Sequence, residues 1–205
     1  MGESLVDKVA MIPAIIIAMS FHEFAHAYVA NKMGDGTGEG MGRLTLNPMS
    51  HIDPIGFLML LVGGFGWAKP VPYNENNFKN RKLGVFLVAI AGVTMNIIIA
   101  TLAIIIYSLT EEFIPGAEYT MVMQNIVWIN IAFASFNLLP IPPLDGSKII
   151  AAFLPARKRF VFYQYERYGF LLMVFLIMTN LIDYLLDPIV VNVVGLIYFL
   201  VGNFI

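Results

Sequence analysis

His22-Glu23-Phe24-Ala25-His26 lies inside an apolar run from Val9 to Ala30, and no other feature constrains the chain as strongly. The run has about the 20 residues that a helix needs to cross a bilayer core. Asp7 and Lys8 precede it, and Asn31 and Lys32 follow. Two imidazoles and a carboxylate are costly in such a segment and call for a functional reason. On a helix, His22 and His26 project from one face, about one turn apart. That spacing suits two nitrogen ligands on a single zinc ion, with Glu23 near the same face as general base and not as ligand.

Four further runs have a spanning length: Leu83 to Leu109, Met121 to Leu139, Tyr168 to Leu186 and Ile189 to Ile205. With 59% hydrophobic and only 13% charged residues in 205, the composition is that of a membrane protein. Ile55 to Trp67 is apolar but too short to span, and its Gly63, Gly64 and Gly66 fit a re-entrant hairpin. Arg43 to Leu46 alternates polar and apolar like a short strand, and Val71 to Tyr73 reads as a second extended piece. The expected fold is an all-α polytopic membrane protein with about five transmembrane helices, a re-entrant hairpin and short β-strands between the first two spans. It forms one domain over residues 1–205, with a core at 9–154 and additional spans at 168–186 and 189–205.

Of the twelve Lys and Arg, eleven fall between Lys32 and Lys82 or between Lys148 and Arg167, whereas Thr110 to Thr120 carries three glutamates and no base. The positive-inside rule then puts the N-terminus outside and the C-terminus in the cytoplasm. The segment before Val9 lacks the basic start of a cleaved signal, so the first span is expected to be retained. No cysteine is present to form disulfides or thiolate ligands. Without a basic tract, nucleic acid is not an expected partner.

A catalytic zinc site takes three protein ligands and keeps one position open. A third histidine six residues after His26 is excluded, because that position is Lys32. Glu39 sits among glycines, and His51 reads better as a loop or supporting residue. Asp145 is the stronger candidate. It follows Pro140, Pro142 and Pro143, which break a helix at membrane depth, where broken backbone is tolerated only inside protein or beside a wet cavity. The charge-derived topology places it at the depth of His22 and His26. A helix N-cap role for Asp145 stays open, since Asp-Gly-Ser-Lys precedes a helical run.

HExxH in one span and Asn137-x-x-Pro140-x-Pro142-x-x-Asp145-Gly146 in a later one resemble the site-2 protease family of intramembrane zinc metalloproteases. Leu46 to Gly56 and Gly66 to Pro72 look like the segments between the first two core helices of compact prokaryotic members. The resemblance implies one zinc ion on His22, His26 and Asp145, with Glu23 as the catalytic carboxylate. The substrate would be a transmembrane protein cleaved near the cytoplasmic side. One departure is visible: the middle helix reads Gly92-Val93-Thr94-Met95-Asn96, where many members carry Gly-Pro-x-x-Asn. Asn96, Asn137 and His51 are candidates for substrate binding or for support of the ligands. Arg43 to Leu46 would offer a strand edge to an unwound substrate. The rival reading is a non-hydrolytic metal-binding or transport protein, which would not need Glu23 between the two ligands.

Overall fold

The structure, a computed structural model, describes residues 5–63, 66–164 and 166–202. The first apolar run is α1 (Leu5–Lys32), 28 residues with Pro13 inside it. A short turn of helix, α2 (Thr37–Gly40), leads through irregular chain to α3 (Pro54–Gly63). Asp53 starts α3: its Oδ1 accepts from the Ile55 and Gly56 N–H groups at 3.0 and 2.8 Å, and proline occupies the first helical position. Ten residues rise only about 15 Å, half the roughly 30 Å of a bilayer core, so α3 cannot span. The chain returns beside it. A Cβ built on Gly66 would lie 2.0 Å from the Gly56 carbonyl oxygen, an approach only glycine permits. The expected hairpin is therefore a short helix with a closely packed return, although Gly64 itself falls outside the described residues.

The longest helix, α4 (Arg81–Thr110), begins at Asn80, whose side chain accepts from the Leu83 N–H. A second core helix, α5 (Ala117–Asn137), ends just before the prolines, and α6 (Asp145–Phe153) restarts beyond them. Three more helices follow: α7 (Ala156–Gln164), α8 (Glu166–Met178) and α9 (Leu181–Gly202). α1, α4 and α5 pack against one another, α6 leans on α4, and α9 lies along α5. Val190, Val194, Ile197 and Val201 recur at helical spacing and pack on Met123, Val127 and Ile131 of α5 and on Ala100, Ala103 and Ile104 of α4. The other face of α9 exposes Val191, Leu196, Phe199 and Leu200, as a helix bordered by lipid does. A Cβ on Gly169 of α8 would fall 2.0 Å from the Pro142 carbonyl oxygen, so α8 lies directly on the proline-broken segment.

Among the described residues, three helices are long and apolar enough to cross a membrane: Lys8–Lys32 within α1, Arg81–Thr110 and Leu181–Gly202. The chain is a multi-pass, all-helical membrane protein, and its elements depart from the expected ones at the fourth span and at the strands. The expected fourth span is broken at Thr179 and Asn180, where Asn180 takes the left-handed conformation at φ 55°. α9 then begins at Leu181 and continues through Pro188, across the gap between the run that ends at Leu186 and the one that begins at Ile189. Asp183, in the first turn of α9, suits the positive end of the helix dipole. The last residues of the expected fifth span, 203–205, lie outside the described residues. α5 reaches 21 residues, but Gln124, Asn125, Asn130 and Asn137 lower its hydropathy.

The expected strands do not form. Arg43 to Leu46 is a bend that follows Gly42 at φ 67°, and Val71 to Tyr73 enters no β-ladder among the described residues. Among the described residues the only β contact is an isolated antiparallel bridge between Ile52 and Ala68. Pro70 and Pro72 supply no N–H groups with which a ladder could continue.

Asp35 joins the end of α1 to the chain that enters α4. Its carboxylate accepts from the Thr37 N–H and hydroxyl, from the Asn77 amide and from the Asn74 N–H. Burial pushes its pKa up, yet these donors outweigh it and hold the group below the usual carboxylate range. A depressed folded-state pKa stabilises above the unfolded value of about 3.9 and ceases to do so as pH falls through the folded one. Asp35→Asn is therefore expected to cost about 2 kcal/mol near neutral pH, with the gap to wild type closing below about pH 4. Thermal unfolding in detergent at pH 7 and pH 3 checks both the size and the direction.

Candidate metal centre

His22 and His26 leave α1 one turn apart and are both buried, and Asp145 enters from the first residue of α6. The Nε2 atoms of the histidines stand 2.9 Å from each other, and 3.1 and 3.0 Å from Asp145 Oδ2. Residues 22, 26 and 145 thus meet across 123 residues of chain, with ligand atoms all within 4.8 Å of one another. The N-cap alternative for Asp145 does not hold. Leu144 occupies the cap position, and Asp145 spends its carboxylate on the histidines and on Lys148.

Hydrogen bonds on the far side of each ring decide what the near side offers. His26 Nδ1 lies 2.7 Å from the Val88 carbonyl oxygen, which can only accept, so Nδ1 carries the proton. Asn96 donates its amide to the Ala18 carbonyl and to Asn130 Oδ1, which turns its own oxygen toward His22 Nδ1 at 2.7 Å. His22 Nδ1 is therefore a donor as well. In the neutral rings both Nε2 lone pairs then point at Asp145 Oδ2. Three lone-pair atoms facing one another repel, unless a cation lies among them. Ligand atoms about 2.0 Å from a tetrahedral ion stand about 3.3 Å apart, close to the spacing found. The donor set, the fixed tautomers and the spacing all fit zinc.

The glycines near this group are spacers. A Cβ on Gly92 of α4 would lie 2.4 Å from His22 Cε1, and one on Gly146 would lie 2.1 Å from the Leu138 carbonyl oxygen. Gly92 lets α4 pass flat against the imidazole, and Gly146 lets α6 start against the end of α5. The proline missing before Asn96 leaves α4 a continuous helix.

Glu23 is buried beside the pair, and its Oε2 accepts from the Val71 N–H at 2.9 Å. Lys148 donates to Asp145 Oδ1 at 3.0 Å, so the two oxygens of that carboxylate have separate partners. Asn137 is buried but donates back to the Phe133 carbonyl within α5. His51 is fully buried away from the three ligand atoms, where it donates through Nε2 to the Thr45 carbonyl at 2.6 Å. Sequence reading missed Lys148, Val71, Val88 and Asn130. The i, i+3 spacing from Asp145 was the available signal for Lys148. The backbone groups of Val71 and Val88 leave no trace in residue identity.

The edge of the Phe133 ring meets His22, with centroids 4.9 Å apart. Phe133 also lines a cavity of about 570 Å³ together with Ile15 and Met19 of α1, Leu60 of α3 and Ile182 of α9.

Comparison with known proteins bears on what such a centre does. A profile described as peptidase family M50 matches residues 114–180, which include Asp145. A Bacillus subtilis protein named as zinc metalloprotease YwhC is 41% identical over 184 residues, covering 87% of this chain and 84% of its own. A Mycolicibacterium smegmatis protein named as zinc metalloprotease Rip2 is 29% identical over 184 residues, covering 83% and 67%. Zinc metalloprotease MJ0392 of Methanocaldococcus jannaschii is 26% identical over 140 residues, covering 68% and 33%. No solved structure gives a significant match.

The packing yields a direct expectation. Gly92→Ala drives a methyl into the His22 ring, and Asn96→Leu removes the acceptor that fixes its tautomer. Each should weaken zinc binding by about 10- to 100-fold while helix content is unchanged. Competition against a chelator of known affinity, alongside circular dichroism, measures both.

Proposed function

The chain belongs to peptidase family M50, the site-2 proteases, and we propose that it cleaves transmembrane segments of other proteins as a zinc metalloprotease. The observation that carries this reading is the convergence of His22 Nε2, His26 Nε2 and Asp145 Oδ2, with both Nδ1 atoms committed elsewhere as donors. These three residues would hold one zinc ion per chain. Lys148 keeps Asp145 Oδ1 engaged, so that the carboxylate presents Oδ2 alone.

Zinc, when bound, supplies a Lewis acid that lowers the pKa of water toward about 7 and polarises a carbonyl. Glu23 takes the proton from the attacking water as the new C–O bond forms at the peptide carbonyl. It hands that proton to the amide nitrogen as the C–N bond breaks, giving a carboxylic acid and an amine. The Val71 N–H holds the carboxylate in place for both transfers. Asn137 lies at the entrance to the broken segment, where its amide oxygen can meet substrate backbone.

A helix hides its carbonyls, so the substrate must unwind locally before it is cleaved. The cavity lined by Phe133, whose ring meets His22, is largely apolar, which suits an unwound membrane segment. α5 is enclosed by α1, α4 and α9, which favours counting it as a further span despite its amides. α8, with the turn at Thr179 and Asn180, would provide the remaining crossing, and the basic α7 would stay on the cytoplasmic side. The basic residues then place the N-terminus outside and the site near the cytoplasmic face.

Two experiments test this reading. Glu23→Gln should keep its zinc yet lose about 10²- to 10⁴-fold in cleavage of a transmembrane substrate, whereas Asp145→Ala should lose the metal. Wild-type cleavage by Glu23→Gln would end the protease mechanism as written. For topology, the chain has no cysteine, so single cysteines can be placed at Glu112 and Lys158. An impermeant thiol reagent applied to intact cells should label position 112 and spare 158.

A further inference from the structure

Arg43 presents an unusual cost. It is only 7% exposed, and among the described residues no carboxylate lies within ion-pairing distance of it. Its Nε–H has no partner, while its Nη2 donates to the Lys69 carbonyl. A buried guanidinium left partly unsatisfied destabilises a fold, and an uncharged side chain of similar volume would fill the space at lower cost. Local costs of this kind are typical of functional sites, where a group is placed for its chemistry and not for stability.

The chain it grips points to the task. Residues 68–72, Ala-Lys-Pro-Val-Pro, form a strap across α1. Pro70 and Pro72 fix their own φ and push Lys69 and Val71 toward extended backbone. They also leave Lys69 and Val71 as the only residues from 69 to 72 with an N–H. Lys69 gives its N–H to the His51 carbonyl at 2.8 Å, and Val71 gives its N–H to Glu23 at 2.9 Å. The Ile52–Ala68 bridge fixes the start of the strap. Near its end, the Val71 side chain sits where a Cβ on Gly38 would approach within 3.2 Å. Between these contacts, the Lys69 carbonyl is held by Arg43. Glu23 stands on α1, but its carboxylate is oriented by a stretch outside any helix, and that stretch is as well placed as its anchors.

We propose that Arg43 is a positioning residue for Glu23, acting through the Lys69 carbonyl and the Val71 N–H. The inference rests on the reading of Glu23 as general base. A base must sit within about half an ångström of its working position, and a 1 Å error can cost about 100-fold in rate.

The test uses the full-length protein in detergent with a transmembrane substrate, and reads zinc content, KM and kcat. Arg43→Ala should keep zinc and KM within about twofold of wild type while kcat falls about 10- to 100-fold. Arg43→Lys, which can still donate to the Lys69 carbonyl, should recover at least about a third of the lost activity. Val71→Pro removes the N–H itself and should lose as much as Arg43→Ala. The double variant should lose no more than either single one, as for two links of one chain. Turnover within twofold of wild type in Arg43→Ala overturns the proposal. So does a loss of zinc in that variant, or full additivity with Val71→Pro, since either marks a merely structural role. Glu23→Gln, run alongside, separates the two readings: its inactivity together with a fully active Arg43→Ala leaves the base in place and removes only Arg43.

Discussion

A single amide, that of Asn96, ties the bundle and its chemistry together. It reaches α1 twice, at the Ala18 carbonyl and at His22, and α5 once, at Asn130. Each bond lies where an unpaired polar atom would have little water to turn to, so breaking one costs more than at a surface. The three helices it joins are those that pack most closely on one another. The same group that registers the helices also decides which nitrogen of His22 faces Asp145. Packing and ligand tautomer are thus set by one constraint, and a shift of α4 along α1 would disturb both.

Close approach of backbones is the second requirement, and glycine meets it where amides cannot. Gly92 brings α4 against His22, Gly146 brings α6 against the end of α5, and Gly66 brings the return of the hairpin against α3. None of the three occupies the left-handed region, so each is there for space and not for backbone freedom. Lys148 completes the arrangement from the other side of Asp145, where an ammonium within a carboxylate's reach offsets the burial of both.

Much of this was readable from residue identity, because the signals were local and costly to misplace. Ionisable groups at helical spacing in an apolar run single out α1, and prolines before an Asp-Gly pair single out the start of α6. What escaped was carried by backbone or by compromise. The Val71 N–H is invisible in a sequence, whereas Pro70 and Pro72 on either side of it already weigh against a strand there. The break at Asn180 leaves little signal because the residues around it are nearly all apolar. α5 is legible as the run from Met121 to Leu139 although its amides lower its hydropathy, and Asn130 and Asn137 are buried among neighbouring helices.

The contact between Gly169 and Pro142 gives the C-terminal helices a mechanical role. Pro142 lies three residues before Asp145, and its carbonyl bears directly on the α8 backbone. No side chain separates the two backbones there. α8 is 13 residues long and packs on α7 and α9, so the C-terminal helices stand behind the segment that presents Asp145. The last third of the chain is thus a backing wall for the one carboxylate that approaches the two histidines.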